Sequence, residues 1–238
     1  MPEPERRRDY AEAFLHHPDR KKALRQKRLA LLCIDVQYLD AAPGYGLFAE
    51  PDASGVTEEG QHYYFSRLEN TVLPNMRRLQ NVFRDSNLEV IHCRICALTK
   101  DGRDRSSGHK RLNLLAAPGS KEAEFIDMVA PRGDEIVMNK TASGTFSSTN
   151  LHYVLQNIGI DLLYMCGVYT NECVETTARD ACDLGYFVTV IDDACATVSD
   201  ELHRASLEVL EYRYASVMTT TGVATEIRRE TSWRQDER

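Results

Sequence analysis

No apolar run in these 238 residues approaches the ~20 consecutive positions that a membrane-spanning helix needs. The first residues also lack the apolar core of a secretory signal, so the expected setting is a reducing cytoplasm. Excess positive charge is missing too. The balance of 29 Lys and Arg against 36 Asp and Glu leaves a net charge of −7, which gives no reason to expect nucleic acid or a membrane surface as a partner. Internal repeats and low-complexity linkers are absent. The seven cysteines are an odd number, and four of them (Cys33, Cys93, Cys96, Cys166) fall in or beside predicted strands, where they read as reduced core residues. Cys93 and Cys96 form a C-x-x-C, but no second pair and no paired histidines stand at zinc spacing, so it is a poor metal or redox site.

What is present is enough apolar content, 42%, for one α/β domain with a full core. Strand-like runs fall at 29–35, 88–95, 134–139, 161–168, 186–191 and 215–219. Helical patterns lie between them, at about 61–85, 121–129, 149–158, 173–184 and 200–213. Pro74 should kink or divide the first of these. The 149–158 pattern starts from Ser148 or Thr149 and stops at Gly159, in keeping with capping preferences. This alternation predicts a three-layer α-β-α, Rossmann-like domain with a six-stranded, mostly parallel sheet. The charged segment 1–28, with sparse anchors at Tyr10, Phe14 and Leu24, reads as a helical arm laid on the domain or on a neighbouring subunit. The domain itself spans 29–225, and the charged tail 226–238 is expected to be frayed or used in assembly.

The chemistry centres on Cys173. The apolar run 162–168 breaks around Gly167, turns through Tyr169-Thr170-Asn171-Glu172, and delivers Cys173 to the start of a helical pattern. Unpaired N–H groups and the helix dipole at such a junction favour a thiolate. A small cysteine packed behind the turn is an equally good reading of that segment alone. The other strand ends shift the balance. The run 29–35 ends on Asp35, and the run 134–139 is followed by Lys140. In a parallel sheet these ends share one edge, where α/β proteins place their ligands. An acid, a cation and a thiol there make a nucleophilic set, although a capping Asp and a solvated Lys are each the commoner reading singly.

These residues resemble the isochorismatase-like cysteine hydrolases. The matching pieces are Ile34-Asp35-Val36-Gln37, the run from Asn139-Lys140 through Leu151, the run from Gly167 through Val174, and Gly185-Tyr186 leading to Asp193-Ala194-Cys195-Ala196-Thr197. They occur in the family's order and cover roughly 29–222. The resemblance implies a Cys173–Asp35–Lys140 triad, a non-proline cis peptide at Val168–Tyr169, and an oxyanion hole from the backbone N–H groups of Tyr169 and Cys173. It also implies a homo-oligomer, a dimer or a tetramer.

Related nicotinamidases carry an Asp-x-His and a further His after the first catalytic strand. Here Asp52 is followed by Ala53 and Ser54, and His62 stands alone, so neither a metal, nor any other cofactor, nor nicotinamide as natural substrate is expected. The isochorismatases proper do not rely on a nucleophilic cysteine, so Cys173 points to amide or ureide cleavage. His92-Cys93-Arg94 and the Lys140–Phe146 run look most like hydrolases of carbamoyl compounds such as biuret, triuret, ureidoacrylate or N-carbamoyl substrates. The substrate contacts expected are Arg94, Gln37, Tyr38, Tyr45, Phe48, Phe146 and Asn171, with aromatic walls stacking on a flat ureide. The charged loop 97–120, which includes His109, reads for the most part as solvated surface. The competing readings are a catalytically idle binding protein on the same fold, or a hydrolase of another small amide.

Overall fold

Alternation along the first strand shows why the sheet forms where it does. Leu29, Leu31 and Cys33 join one apolar cluster, while Ala30, Leu32 and Ile34 join another on the opposite face. A strand buried on both faces must be covered by helices on both, which is the situation of a parallel sheet. The computed structural model describes residues 14–50 and 54–232, with side chains through residue 230. Its six strands are β1 (Leu29–Ile34), β2 (Glu89–Ile95), β3 (Val137–Lys140), β4 (Leu162–Val168), β5 (Phe187–Ala196) and β6 (Ser216–Met218). All pair in parallel, in the order β3-β2-β1-β4-β5-β6. The order reverses direction between β1 and β4, so the crevice for a ligand opens at the carboxyl ends of those two strands.

The expected architecture is therefore present, with instructive departures. The long helix foreseen over 61–85 is Glu58–Arg67, a π turn at Leu68–Val72, and Leu73–Asp85, with Pro74 in the first turn of the last piece. Proline lacks the N–H that a continuous α-helix would need there, and the wider turn absorbs the loss. The helix foreseen over 121–129 is instead two 3₁₀ turns, Lys121–Ala123 and Asp127–Val129, because Phe125 between them pairs with Gln37 in an isolated antiparallel bridge. The loop 97–120 contains a short helix, Ser107–Arg111, capped by the Ser106 hydroxyl.

The arm and the tail meet each other. The helix Pro18–Arg25 packs on the helix Thr220–Ser232, and Arg20 reaches the Glu226 carboxylate under the sheet. Glu226, placed at the start of a frayed tail by its charged surroundings, lies instead inside a docked helix. Tyr10 and the residues beyond 232 lie outside the described part of the chain. All seven cysteines are unpaired, and five of the six other than Cys173 are buried. Among the described residues no helix is long and apolar enough to cross a membrane.

Candidate active site

The site is built where β1, β3 and β4 end. Strand β1 stops at Ile34, and Asp35 turns its backbone into the left-handed region, φ 55°. Aspartate tolerates this conformation better than most non-glycine residues, and its strain is the kind that clusters at functional positions. The turn is fixed on both sides: the Asp35 N–H donates to the Cys93 carbonyl and its carbonyl accepts from Gln37, each at 2.9 Å. Opposite Ile34 on β4 stands Gly167, where a Cβ would lie 2.0 Å from the Ile34 carbonyl oxygen. Only glycine allows the two strand ends to approach this closely. Past it, the Val168–Tyr169 peptide is cis.

Cys173 does not open an α-helix, as its sequence context suggested. It sits in a π turn, Thr170–Val174, just ahead of the helix Glu175–Asp183. The N–H groups of Glu172 and Val174 both donate to the Tyr169 carbonyl, at 3.1 and 3.2 Å. Behind the turn, His203 Nδ1 lies 2.9 Å from the Thr170 hydroxyl, and the Ser206 hydroxyl donates to the Thr170 carbonyl at 3.2 Å. The turn is thus tied to the helix Asp200–Arg213 before any ligand arrives.

Lys140, the last residue of β3, joins the acid to the thiol. Its Nζ lies 2.8 Å from Asp35 Oδ2 and 3.3 Å from Cys173 Sγ. The carbonyls of Ala142 and Ser143, each at 3.0 Å, hold the ammonium in place. Asp35, Lys140 and Cys173 are 1%, 0% and 4% exposed, so the set is enclosed and its charges act at short range through protein. Asp35 Oδ1 has no hydrogen-bond partner and stands ready to accept one.

Burial sets the proton inventory. It opposes the Lys140 charge, but Asp35 and Cys173 outweigh it and hold the ammonium above its ordinary range. Burial raises Asp35, with Lys140 pulling the other way, which leaves a carboxylate with more appetite for a proton than an exposed one. Burial also pushes the Cys173 thiol well up; Lys140 opposes this, while Asp35 and Asp40 add to it. Burial and the two neighbouring acids thus work against the thiolate expected from the Cys173 context, and Lys140 works for it.

The expected substrate contacts divide. The side-chain amide of Gln37 is spent on the backbone: it donates to the carbonyls of Ile95 and Glu122 and accepts from the Ile95 N–H. Arg94 donates to Asn139 and to the Ala123 carbonyl and lies over the Phe125 ring, bracing the edge of the sheet. Phe48 is a core residue packed on Tyr64 and Phe65, and Phe146 stacks on Tyr186 beside the second core cluster. All four side chains are engaged by the framework. Tyr38 and Tyr45 contact each other edge to face, both half-buried, in the loop that follows Asp35. Asn171, in the Thr170–Val174 turn, accepts a hydrogen bond from the Thr197 hydroxyl at 2.5 Å.

Two buried groups near the triad escaped the sequence reading. Asp40 lies on the single helical turn Tyr38–Ala41, and its Oδ2 has no hydrogen-bond partner. Burial pushes it well above the usual carboxylate range, Asp35 and Glu172 adding and Lys140 opposing. His109, in the short helix of the 97–120 loop, is buried with its Nδ1 unpartnered and feels the charge of Lys140. The one signal for Asp40 in the sequence was a lone acid in the apolar run Leu39-Asp40-Ala41-Ala42; His109 had none, being set among exposed charges. Asp52 lies outside the described residues, and His62 is exposed. Among the described residues, no three His, Cys, Asp or Glu side chains are grouped to hold a metal ion.

Comparison with known proteins agrees with this architecture. A family model described as Isochorismatase domain matches residues 30–222. The uncharacterized isochorismatase family protein YwoC of Bacillus subtilis is 34% identical over 154 residues, which is 63% of this chain and 79% of that protein. Ureidoacrylate amidohydrolase RutB of Acinetobacter baylyi is 40% identical over 94 residues, only 39% of this chain and 38% of that protein. Among solved structures, N-carbamoylsarcosine amidase from Thermoplasma acidophilum superposes with a TM-score of 0.62 at 23% identity, covering 81% of this chain and 96% of that one. At that identity the likeness speaks to the fold.

Proposed function

The chain belongs to the isochorismatase family, and from that premise we propose that it is a cysteine amidohydrolase that cleaves a C–N bond of a small ureide or carbamoyl compound. The observation that carries the reading is the unbroken buried contact from Asp35 through Lys140 to Cys173. Asp35 takes the thiol proton as Cys173 Sγ bonds to the substrate carbonyl carbon. The C–N bond then breaks, and Asp35 returns the proton to the leaving nitrogen, which departs as ammonia or an amine. Water attacks the resulting thioester, Asp35 receives its proton, and the thiolate leaves to be reprotonated. Lys140 stays charged throughout and steadies the sulfur as it gains charge. The N–H groups of Tyr169 and Cys173 are the proposed donors to the oxyanion.

The carbamoyl class is supported by what two similar proteins are named for, ureidoacrylate and N-carbamoylsarcosine. The experiment is a side-by-side measurement of kcat/KM on biuret, triuret, an N-carbamoyl amino acid and nicotinamide, with isochorismate as a further control. A ureide should lead. If nicotinamide leads, or only isochorismate reacts, the carbamoyl reading is wrong. Cys173→Ser should lower turnover by at least about a thousandfold, because a hydroxyl lacks the ready ionisation of a thiol. Activity within tenfold of the parent would remove Cys173 from the nucleophile's role. A protein that releases ammonia from none of these compounds is instead an idle member of the fold.

A further inference from the structure

Asp40 is an expensive residue for a core to keep. A buried carboxyl oxygen without a partner costs folding free energy, and a leucine of similar size would not. Its exposure is 2%, and its Oδ2 accepts from no donor. Yet the backbone around it is firmly held. The Tyr64 hydroxyl donates to the Asp40 carbonyl at 2.8 Å, and the Tyr169 hydroxyl does so at 3.3 Å. Tyr169 immediately precedes the turn that carries Cys173, so the Asp40 backbone is tied to the residue that leads into that turn. Across the turn, Gly46 packs so close to the Leu39 carbonyl that a Cβ would lie 2.1 Å from it, which pins the helical turn from outside.

Asp35 after β1, Lys140 at the end of β3, and Glu172 and Cys173 in the Thr170–Val174 turn lie near enough for their charges and that of Asp40 to act on one another, and the Tyr64 and Tyr169 phenols bind its backbone carbonyl. None of them donates to its Oδ2. A rigidly placed, unpartnered polar group beside a nucleophile is complete only when something else pairs with it. We infer that the Asp40 carboxyl is a substrate contact that binds the amide or ureide unit adjoining the scissile carbonyl, presenting to it one donor and one acceptor. A carboxylic acid offers an O–H and a carbonyl oxygen side by side, and a –C(=O)–NH– or –C(=O)–NH₂ group offers the complementary pair. Two opposed hydrogen bonds of this kind fit a carbamoyl group in one orientation. Burial pushes this carboxyl towards its protonated form, the form that carries the donor.

This inference rests on the amidohydrolase reading and narrows it. The substrate should carry a second carbonyl–nitrogen unit next to the bond that is cut, as an acylurea or biuret does. Asp35, by contrast, is left free for proton transfer.

The test uses the full chain, with Asp40→Asn, Asp40→Ala and Asp40→Leu. Asparagine keeps a donor and an acceptor, so kcat/KM for biuret should stay within about tenfold; alanine and leucine remove both and should lower it by about a hundredfold or more. Alkylation of Cys173 by iodoacetamide should stay within about threefold in all variants. The melting temperature of Asp40→Leu should hold or rise, because a buried polar oxygen without a partner has been replaced by an apolar side chain. In a Cys173→Ala background, calorimetric titration with biuret should show the same ranking in affinity, Asp above Asn, and Asn well above Ala and Leu. If Asp40→Leu hydrolyses biuret as well as the parent does, the inference is wrong while the amidohydrolase reading stands. A melting temperature that falls sharply in all three variants, with alkylation lost, would make Asp40 a structural residue. If the parent neither binds nor hydrolyses any ureide, the amidohydrolase reading fails and takes this inference with it.

Discussion

Lys140 Nζ lies 3.3 Å from Cys173 Sγ and is wholly buried, so its charge acts on the thiol with little solvent screening. Burial raises the thiol and Lys140 lowers it. Removing the ammonium therefore leaves the upward push unopposed. In Lys140→Met, the rise of iodoacetamide alkylation with pH should move to higher pH. At a fixed pH below that rise, labelling should slow roughly tenfold for each ~1.4 kcal/mol of attraction lost. Alkylation rates measured from pH 6 to 10 in parent and variant decide it; superimposable profiles would take Lys140 out of the thiol's environment.

The parts of this molecule legible in its sequence were those that obey period and punctuation. Strand β1 alternates between two buried faces, Asp35 and Lys140 stand at strand ends, and Cys173 lies in the turn that follows β4. Their convergence needed nothing more than a parallel sheet. What could not be read was the allocation of side chains near that edge. Arg94 and Gln37 have the right chemistry for a ligand, but each found backbone carbonyls first. Burial of a single residue inside a loop is likewise decided by tertiary contacts, which is why Asp40 drew no notice and the loop carrying His109 read as surface.

Chelation supplies a second prediction. The position after Asp52 carries no x-His, and His62 has no companion in sequence. Ureide hydrolysis should therefore survive exhaustive EDTA treatment followed by gel filtration, within about twofold. Loss of activity that returns on adding zinc or manganese would overturn this and point to a nicotinamidase-like centre.

His109 offers a third, through linkage. Burial, with Lys140 and then Arg105 nearby, pulls its imidazole from 6.5 down to about 4. A histidine depressed in the folded state costs nothing while both states are neutral. As pH falls below 6.5 the unfolded chain takes up a proton that the folded chain refuses, so stability drops until about pH 4 and then levels. His109→Phe should show a shallower fall in denaturant midpoint between pH 6.5 and pH 4 than the parent. Equal slopes would mean that His109 titrates normally and is not enclosed in the folded protein.

The last prediction concerns the far side of the sheet. Arg20 Nη1 and Nη2 meet Glu226 Oε1 and Oε2 at 2.9 and 3.0 Å, joining the first described helix to the last. The Tyr164 hydroxyl donates to the same carboxylate, and Arg20 is 1% exposed. Breaking such a pair from one side leaves a buried charge with too few partners, so Arg20→Met should cost about 3–5 kcal/mol. Replacing both, Arg20→Met with Glu226→Leu, should recover most of that loss, since two packed apolar chains carry no desolvation penalty. The acid limb has a defined sign. Burial works to raise Glu226, but Arg20 and Tyr164 outweigh it and hold the group below its ordinary value of 4.5. Its contribution is thus fully present above that value and is lost as pH falls through the lower, folded-state value. Guanidinium unfolding at pH 7 and pH 3.5 should show the parent losing more stability between the two than Glu226→Gln does. An Arg20→Met cost below about 1 kcal/mol would show that the two helices are held by apolar packing instead, and that the ion pair only fixes their register.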